Sequence, residues 1–107
     1  MIRLLAASLL ALSALPAAAR PADCYVEIDA LVVIDGDCDF QSFGGDGSFQ
    51  VATPDGGYFV YVSVYAPGRA EGHWNETRWS GHAHSPIGTL TRRDACWSNG
   101  YATVCAW

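Results

Sequence analysis

Lysine is absent from all 107 residues, and arginine accounts for the six basic residues set against eleven Asp and Glu. A nucleic-acid surface needs clustered Lys and Arg to displace phosphate counterions, and an anionic membrane surface makes the same demand. Neither partner is expected. The formal net charge is −5, one unit more negative if Arg3 is lost with the leader. Such a surface suits solubility, cations, or a basic protein approached by electrostatic steering. Also missing from Cys24 onward is an apolar pattern at i, i+3, i+4, i+7 held for three turns, so no helix beyond a single turn is predicted. There is no C-x-x-C pair, no G-x-S-x-G and no internal repeat. These absences leave no support for a four-cysteine zinc site or a serine-nucleophile elbow.

What is present begins with an export signal. Met1-Ile2-Arg3 is a short positive start, residues 4–15 are a run of Leu, Ala and Ser, and Pro16-Ala17-Ala18-Ala19 offers a small-residue cleavage site. The expectation is a signal peptide over 1–19 and one all-β domain over 20–107. The run is too short for a retained bilayer helix, so no membrane span is expected after cleavage. Cys24 follows Pro21-Ala22-Asp23, which is not a lipid-attachment box. Periplasmic or secreted localisation follows, and with it oxidised cysteines. Cys24–Cys38 and Cys96–Cys105 are the expected bridges, because a hairpin reversal lies between the members of each pair.

Gly, Asp and Pro clusters cut the chain into short pieces, predicting a small antiparallel sandwich or barrel of about 6–8 strands. Residues 24–29 alternate and read as a strand, and residues 31–34 as a second after a reversal near Asp29-Ala30. Phe40 and Phe43 read as part of a polar edge segment. Residues 58–65 are almost wholly aromatic or β-branched and make the central strand. Pro54-Asp55-Gly56-Gly57 turns residues 48–53 onto it, pairing Thr53 with Tyr58, Val51 with Val60 and Phe49 with Val62. That register puts Val60, Val62 and Val64 in the core and leaves Phe59, Tyr61 and Tyr65 on the other face. Residues 66–72 read as a loop, 73–79 as a strand, and 80–86 as a loop with two histidines. At the C-terminal hairpin a tight Asn99-Gly100 turn would pair Cys96 with Thr103, whereas a loop over 99–102 sets Cys96 opposite Cys105. The bridge favours the second.

The unit between Cys24 and Cys38, Gly72-His73-Trp74-Asn75, and Gly88-Thr89-Leu90-Thr91 with Ala95-Cys96-Trp97 resemble small exported disulfide-bonded bacterial proteins of unassigned function. The motifs are structural in kind. The resemblance implies no activity, and no functional residue is carried over from it.

Candidate sites are few. His82-Ala83-His84 places two imidazoles on one side of an extended segment, as some Zn sites do, with His73, Glu76 or Asp94 as a third ligand. The plainer reading is a polar loop that uses His for local hydrogen bonds. Asp35-Gly36-Asp37-Cys38-Asp39, with Asp46, imitates a Ca²⁺ loop, but the sixth position is Phe40 rather than Gly. Turn formation is the simpler job for those acids. No paired carboxylates or nucleophile–base pair stands out, so no enzyme is expected, and a small hydrolase is the weakest reading. Asn75-Glu76-Thr77 fits a glycosylation pattern by coincidence. Tyr61, Tyr65, Trp74 and Trp79 are the candidate binding aromatics, able to stack a sugar or anchor a protein if exposed, and to fill a small core if not. The function expected is an exported binding module without turnover. It would engage a basic protein, such as a cationic wall-degrading enzyme of the lysozyme kind, through an acidic, aromatic-bearing surface. A metal- or carbohydrate-binding protein using residues 73–84 is the alternative.

Overall fold

The computed structural model describes residues 19–107; apart from Ala19, the expected signal peptide lies outside them. Eight antiparallel strands follow one another in chain order: β1 (Arg20–Ile28), β2 (Leu31–Phe43), β3 (Ser48–Ala52), β4 (Phe59–Ala66), β5 (Arg69–Trp74), β6 (Ser85–Arg93), β7 (Cys96–Ser98) and β8 (Ala102–Ala106). β8 pairs with β1, so the sheet closes into a barrel rather than a sandwich. No helix occurs among the described residues. A barrel of eight strands is just wide enough for side chains to fill its interior. Here Val26, Ile28, Ile34, Val51, Val60, Val62, Trp74, Leu90, Trp97 and Val104 belong to one buried cluster.

Two hairpins have the predicted register. Phe49 faces Val62 and Val51 faces Val60, with Thr53 N–H donating to the Tyr58 carbonyl at 2.9 Å. The turn is locked by Asp55, whose Oδ1 accepts from Gly57 N–H at 2.8 Å and from the Thr53 hydroxyl at 2.7 Å. At the C-terminal hairpin Cys96 faces Cys105 and Trp97 faces Val104. Asn99 settles that turn, since its Oδ1 accepts from the N–H groups of Tyr101 and Ala102, both at 2.8 Å. Both bridges form: Cys24–Cys38 with Cα atoms 5.8 Å apart and Cys96–Cys105 with 4.1 Å. Among the described residues no cysteine is free, which is consistent with an oxidising, exported environment.

Elsewhere the strands run differently from expectation. β2 continues to Phe43, well past Ile34. Closure leaves no sheet edge, and Phe40 turns inward to stack on Phe49 with centroids 5.2 Å apart. A bulge near the start of β2 explains the exposed Leu31 and Val32. Val26 pairs with Ile34 but Glu27 with Val32, so Val33 is the extra residue. The expected loop over 66–72 shrinks to the Pro67-Gly68 turn, with Gly68 at φ 71°, and β5 starts at once. That strand ends at Trp74 rather than Trp79. Where β5 crosses β6, Gly72 faces Gly88, and a Cβ on Gly72 would lie 2.9 Å from Leu90 Cδ1. A side chain at that position would make Leu90 and Ile87 give way.

Because the barrel is a single layer, nothing covers the outer face of β4 as a second sheet would. Phe59 is half-buried, while Tyr61 and Tyr65 are 36% and 56% exposed.

Candidate functional site

The outer surface carries two distinct constellations. The first lies over β4 and β5. Alternation on β4 turns Tyr61 and Ser63 outward between the core valines, and the β4–β5 register sets Tyr61 opposite His73. Phe43 and Phe59 brace the Tyr61 ring, with centroids 5.7 and 5.6 Å away. After Trp74 the chain leaves the sheet and is folded back by Asn75, which is only 1% exposed. Its Oδ1 accepts from Phe59 N–H at 2.7 Å, while its Nδ2 donates to the carbonyls of Gly57 at 2.9 Å and Ser80 at 3.0 Å. This clamp returns residues 80–84 to the sheet. His82 and His84 meet edge to face with centroids 5.1 Å apart, and both line an open cavity of about 410 Å³ with Tyr61, Ser63, His73 and Ala83.

The sequence-predicted site residues therefore separate. Tyr61, His73, His82 and His84 share the cavity, whereas Tyr65 lines a different depression with Asp46 and Pro67. Trp74 is 4% exposed and packs in the core 6.0 Å from Tyr58, so it offers no accessible face. Trp79 is 63% exposed at φ 71° and sits elsewhere, under the Arg78 guanidinium, which also covers Tyr58 and pairs with Asp55. Of the third ligands considered for zinc, only His73 reaches the cavity: Glu76 accepts from the Ser85 hydroxyl at 3.0 Å, and Asp94 lies in the turn at the other end of β6. No group of three His, Cys, Asp or Glu side chains among the described residues is placed to hold a metal ion.

The second constellation is the outer face of β1 and β2. The acids that imitate a Ca²⁺ loop lie on a strand instead, where alternation turns Asp35, Asp37 and Asp39 outward and Cys38 into the core. Asp23 and Glu27 join them from β1, and Asp23 directly faces Asp37. Tyr25 stands among these acids opposite Asp35, its hydroxyl donating to Glu27 Oε1 at 2.6 Å. That hydrogen bond, with burial and the negative charges of Glu27 and Asp35, holds the Tyr25 phenol above its ordinary pKa. Trp107, 62% exposed, adjoins Asp23 through paired backbone hydrogen bonds. The cations lie elsewhere. Arg20 covers Phe40 at the start of β1, Arg78 is paired with Asp55, and Arg69, Arg92 and Arg93 sit on β5 and β6 across the barrel.

The chain matches no family model, no curated protein and no solved structure.

An acidic surface was expected from composition, but its place on the outer face of β1 and β2 was not, and the Asn75 clamp was missed altogether. D-x-D-x-D over 35–39 carried the signal for the first, since period-two acids share one face of a strand. Asn75 gave no such signal, because its partners lie up to eighteen residues away.

Proposed function

We propose that this protein is an exported, non-catalytic recognition module that binds a basic protein partner through the outer face of β1 and β2. The carrying observation is the segregation of charge, with Asp23, Glu27, Asp35, Asp37 and Asp39 on one side of the barrel and three of five described arginines on strands half-way round it. Like charges opposite each other on neighbouring strands oppose pairing, so a face built this way works against the barrel's own stability. A cationic partner relieves that repulsion and is steered toward it. Tyr25 and Trp107 add rigid amphipathic rings of the kind that anchor interfaces.

Core side chains fill the barrel, and all four cysteines are bridged. A cationic wall-degrading enzyme of the lysozyme kind has the charge that such a face fits. The test is retention on immobilised lysozyme at low salt and again at about 0.5 M salt, where screening weakens exposed charge pairs. Binding at low salt that disappears at high salt, and in Asp35→Arg/Asp37→Arg, is the expected result. Retention unaffected by that charge reversal rejects the reading.

A further inference from the structure

We infer that the cavity over β4 and β5 is a binding site for a neutral oligosaccharide, separate from the acidic face. It combines an aromatic platform with polar side chains that the fold itself leaves unused. The register places Gln50, Tyr61 and His73 side by side across β3, β4 and β5, so amide, phenol and imidazole stand in one row on the outer surface. Phe43 and Phe59 hold the central ring in place from either side. The returning loop then adds His82 and His84 as a second wall.

None of the side chains of Gln50, Tyr61, His73, His82 and His84 makes a hydrogen bond to the protein among the described residues. The neighbouring acids, by contrast, are occupied: Glu71 accepts from the Thr89 hydroxyl at 2.6 Å and Glu76 from the Ser85 hydroxyl at 3.0 Å. Four uncommitted polar groups, from Gln50, His73, His82 and His84, thus stand around the braced Tyr61 ring.

Ligand chemistry follows from what lines the cavity. No Arg is there to hold an anion, and no three ligating groups are placed for a metal. A neutral imidazole and a carboxamide each present a donor and an acceptor, and a hydroxyl does the same. Vicinal hydroxyls of a sugar are therefore matched in kind. The apolar face of a pyranose ring suits an aromatic side chain, while its hydroxyls suit the imidazoles on the second wall. Because the cavity is open rather than enclosed, and the row continues onto Gln50, the fit is to a segment of a glycan chain.

The experiment is a ¹H–¹⁵N NMR titration of the disulfide-bonded protein with chitotetraose and, separately, with cellotetraose. The expected result for at least one of them is saturable shifts at Tyr61, Ser63, His73 and residues 82–84, with binding unchanged in Asp35→Asn/Asp37→Asn. Losing one stacking or hydrogen-bonding partner should weaken affinity about tenfold in Tyr61→Ala and in His84→Ala. The loop variant keeps the test valid if the strand variant unfolds. No shifts with either sugar at millimolar concentration overturn the inference. So do shifts at Tyr25 and Asp35 in place of the cavity, or a response at the cavity to Zn²⁺ alone.

Discussion

Asn75 shows how one side chain decides where a surface lies. It occupies a buried position between the β3–β4 turn and the loop over 75–84, and its amide joins Phe59, Gly57 and Ser80 with hydrogen bonds of 2.7 to 3.0 Å. Removing it leaves a buried N–H and two carbonyls without those bonds, each costing about 1–3 kcal/mol. Asn75→Ala should accordingly lower stability by roughly 2–4 kcal/mol in urea titrations. It should also shift the NMR signals of Tyr61, His82 and His84, which line one cavity, an effect that a purely global loss of stability would not have below the transition. The same burial explains why the Asn75-Glu76-Thr77 tripeptide is structural, since its amide is spent inside the protein. A contrasting residue is Ala30, which sits at φ 66° beside Asp29 at φ 52° in the β1–β2 turn. Both central positions of this two-residue turn need positive φ, and an alanine there is strained where glycine is not. Ala30→Gly should stabilise by about 0.5–1 kcal/mol, read as a Tm rise of a few degrees.

At the scale of elements the two bridged hairpins look alike in sequence but differ in what their sulfurs touch. The loops they close span 14 and 9 residues, so chain entropy alone assigns each about 3 kcal/mol. Cys24 and Cys38 point into the barrel and belong to the core cluster, whereas Cys96 is only half-buried. Replacing the inner pair with alanine adds a cavity to the entropic loss. Chemical denaturation should therefore find Cys24→Ala/Cys38→Ala less stable than Cys96→Ala/Cys105→Ala by at least about 1 kcal/mol. The contrast also marks what the sequence made legible. Hairpin registers about the Asp55-Gly56 turn and the Cys96–Cys105 bridge could be read because local turn chemistry and covalent geometry determine them. Closure of β8 onto β1 could not, since that pairing joins segments some eighty residues apart with no local signature. The inward turn of Phe40 follows from the β2–β3 register, in which it faces Val51, a pairing beyond the point where the second strand was expected to end. In sequence His73 is one of three candidates for a third zinc ligand, whereas its partnership with Tyr61 comes from the β4–β5 register.

For the whole molecule, charge sets both a stability window and a binding face. Asp55 and Asp46 are held below the usual carboxylate pKa, first by the backbone N–H groups of Gly57 and Ser48 respectively. A depressed folded pKa contributes stability above the unfolded value near 4, and that contribution is lost as pH falls through the folded value. Tyr25 works in the other direction. Its raised pKa favours the neutral phenol in the folded state, a contribution complete below about pH 10 and lost at higher pH. Stability should thus decline on both sides, and Asp55→Asn should flatten the acid limb of Tm against pH while Tyr25→Phe flattens the alkaline limb. Between those limits the acidic face exerts the strongest opposing demand on fold and function. Asp23 and Asp37 face each other across β1 and β2, with Asp35 and Asp39 beside them and no arginine on that outer face. Repulsion in such a pair is relieved when one member is neutralised, and screening removes most of the gain at high salt. Asp37→Asn should therefore raise the urea midpoint at low ionic strength, with the difference shrinking in about 0.5 M salt. If the face recognises a basic protein, the same substitution should slow association several-fold at low salt and leave dissociation little changed, because an exposed rim charge acts on encounter. Stopped-flow binding beside equilibrium unfolding separates the outcomes. A variant that gains stability and loses on-rate means that the repulsion serves binding, and one that gains stability with the on-rate intact means that the face is not where the partner arrives.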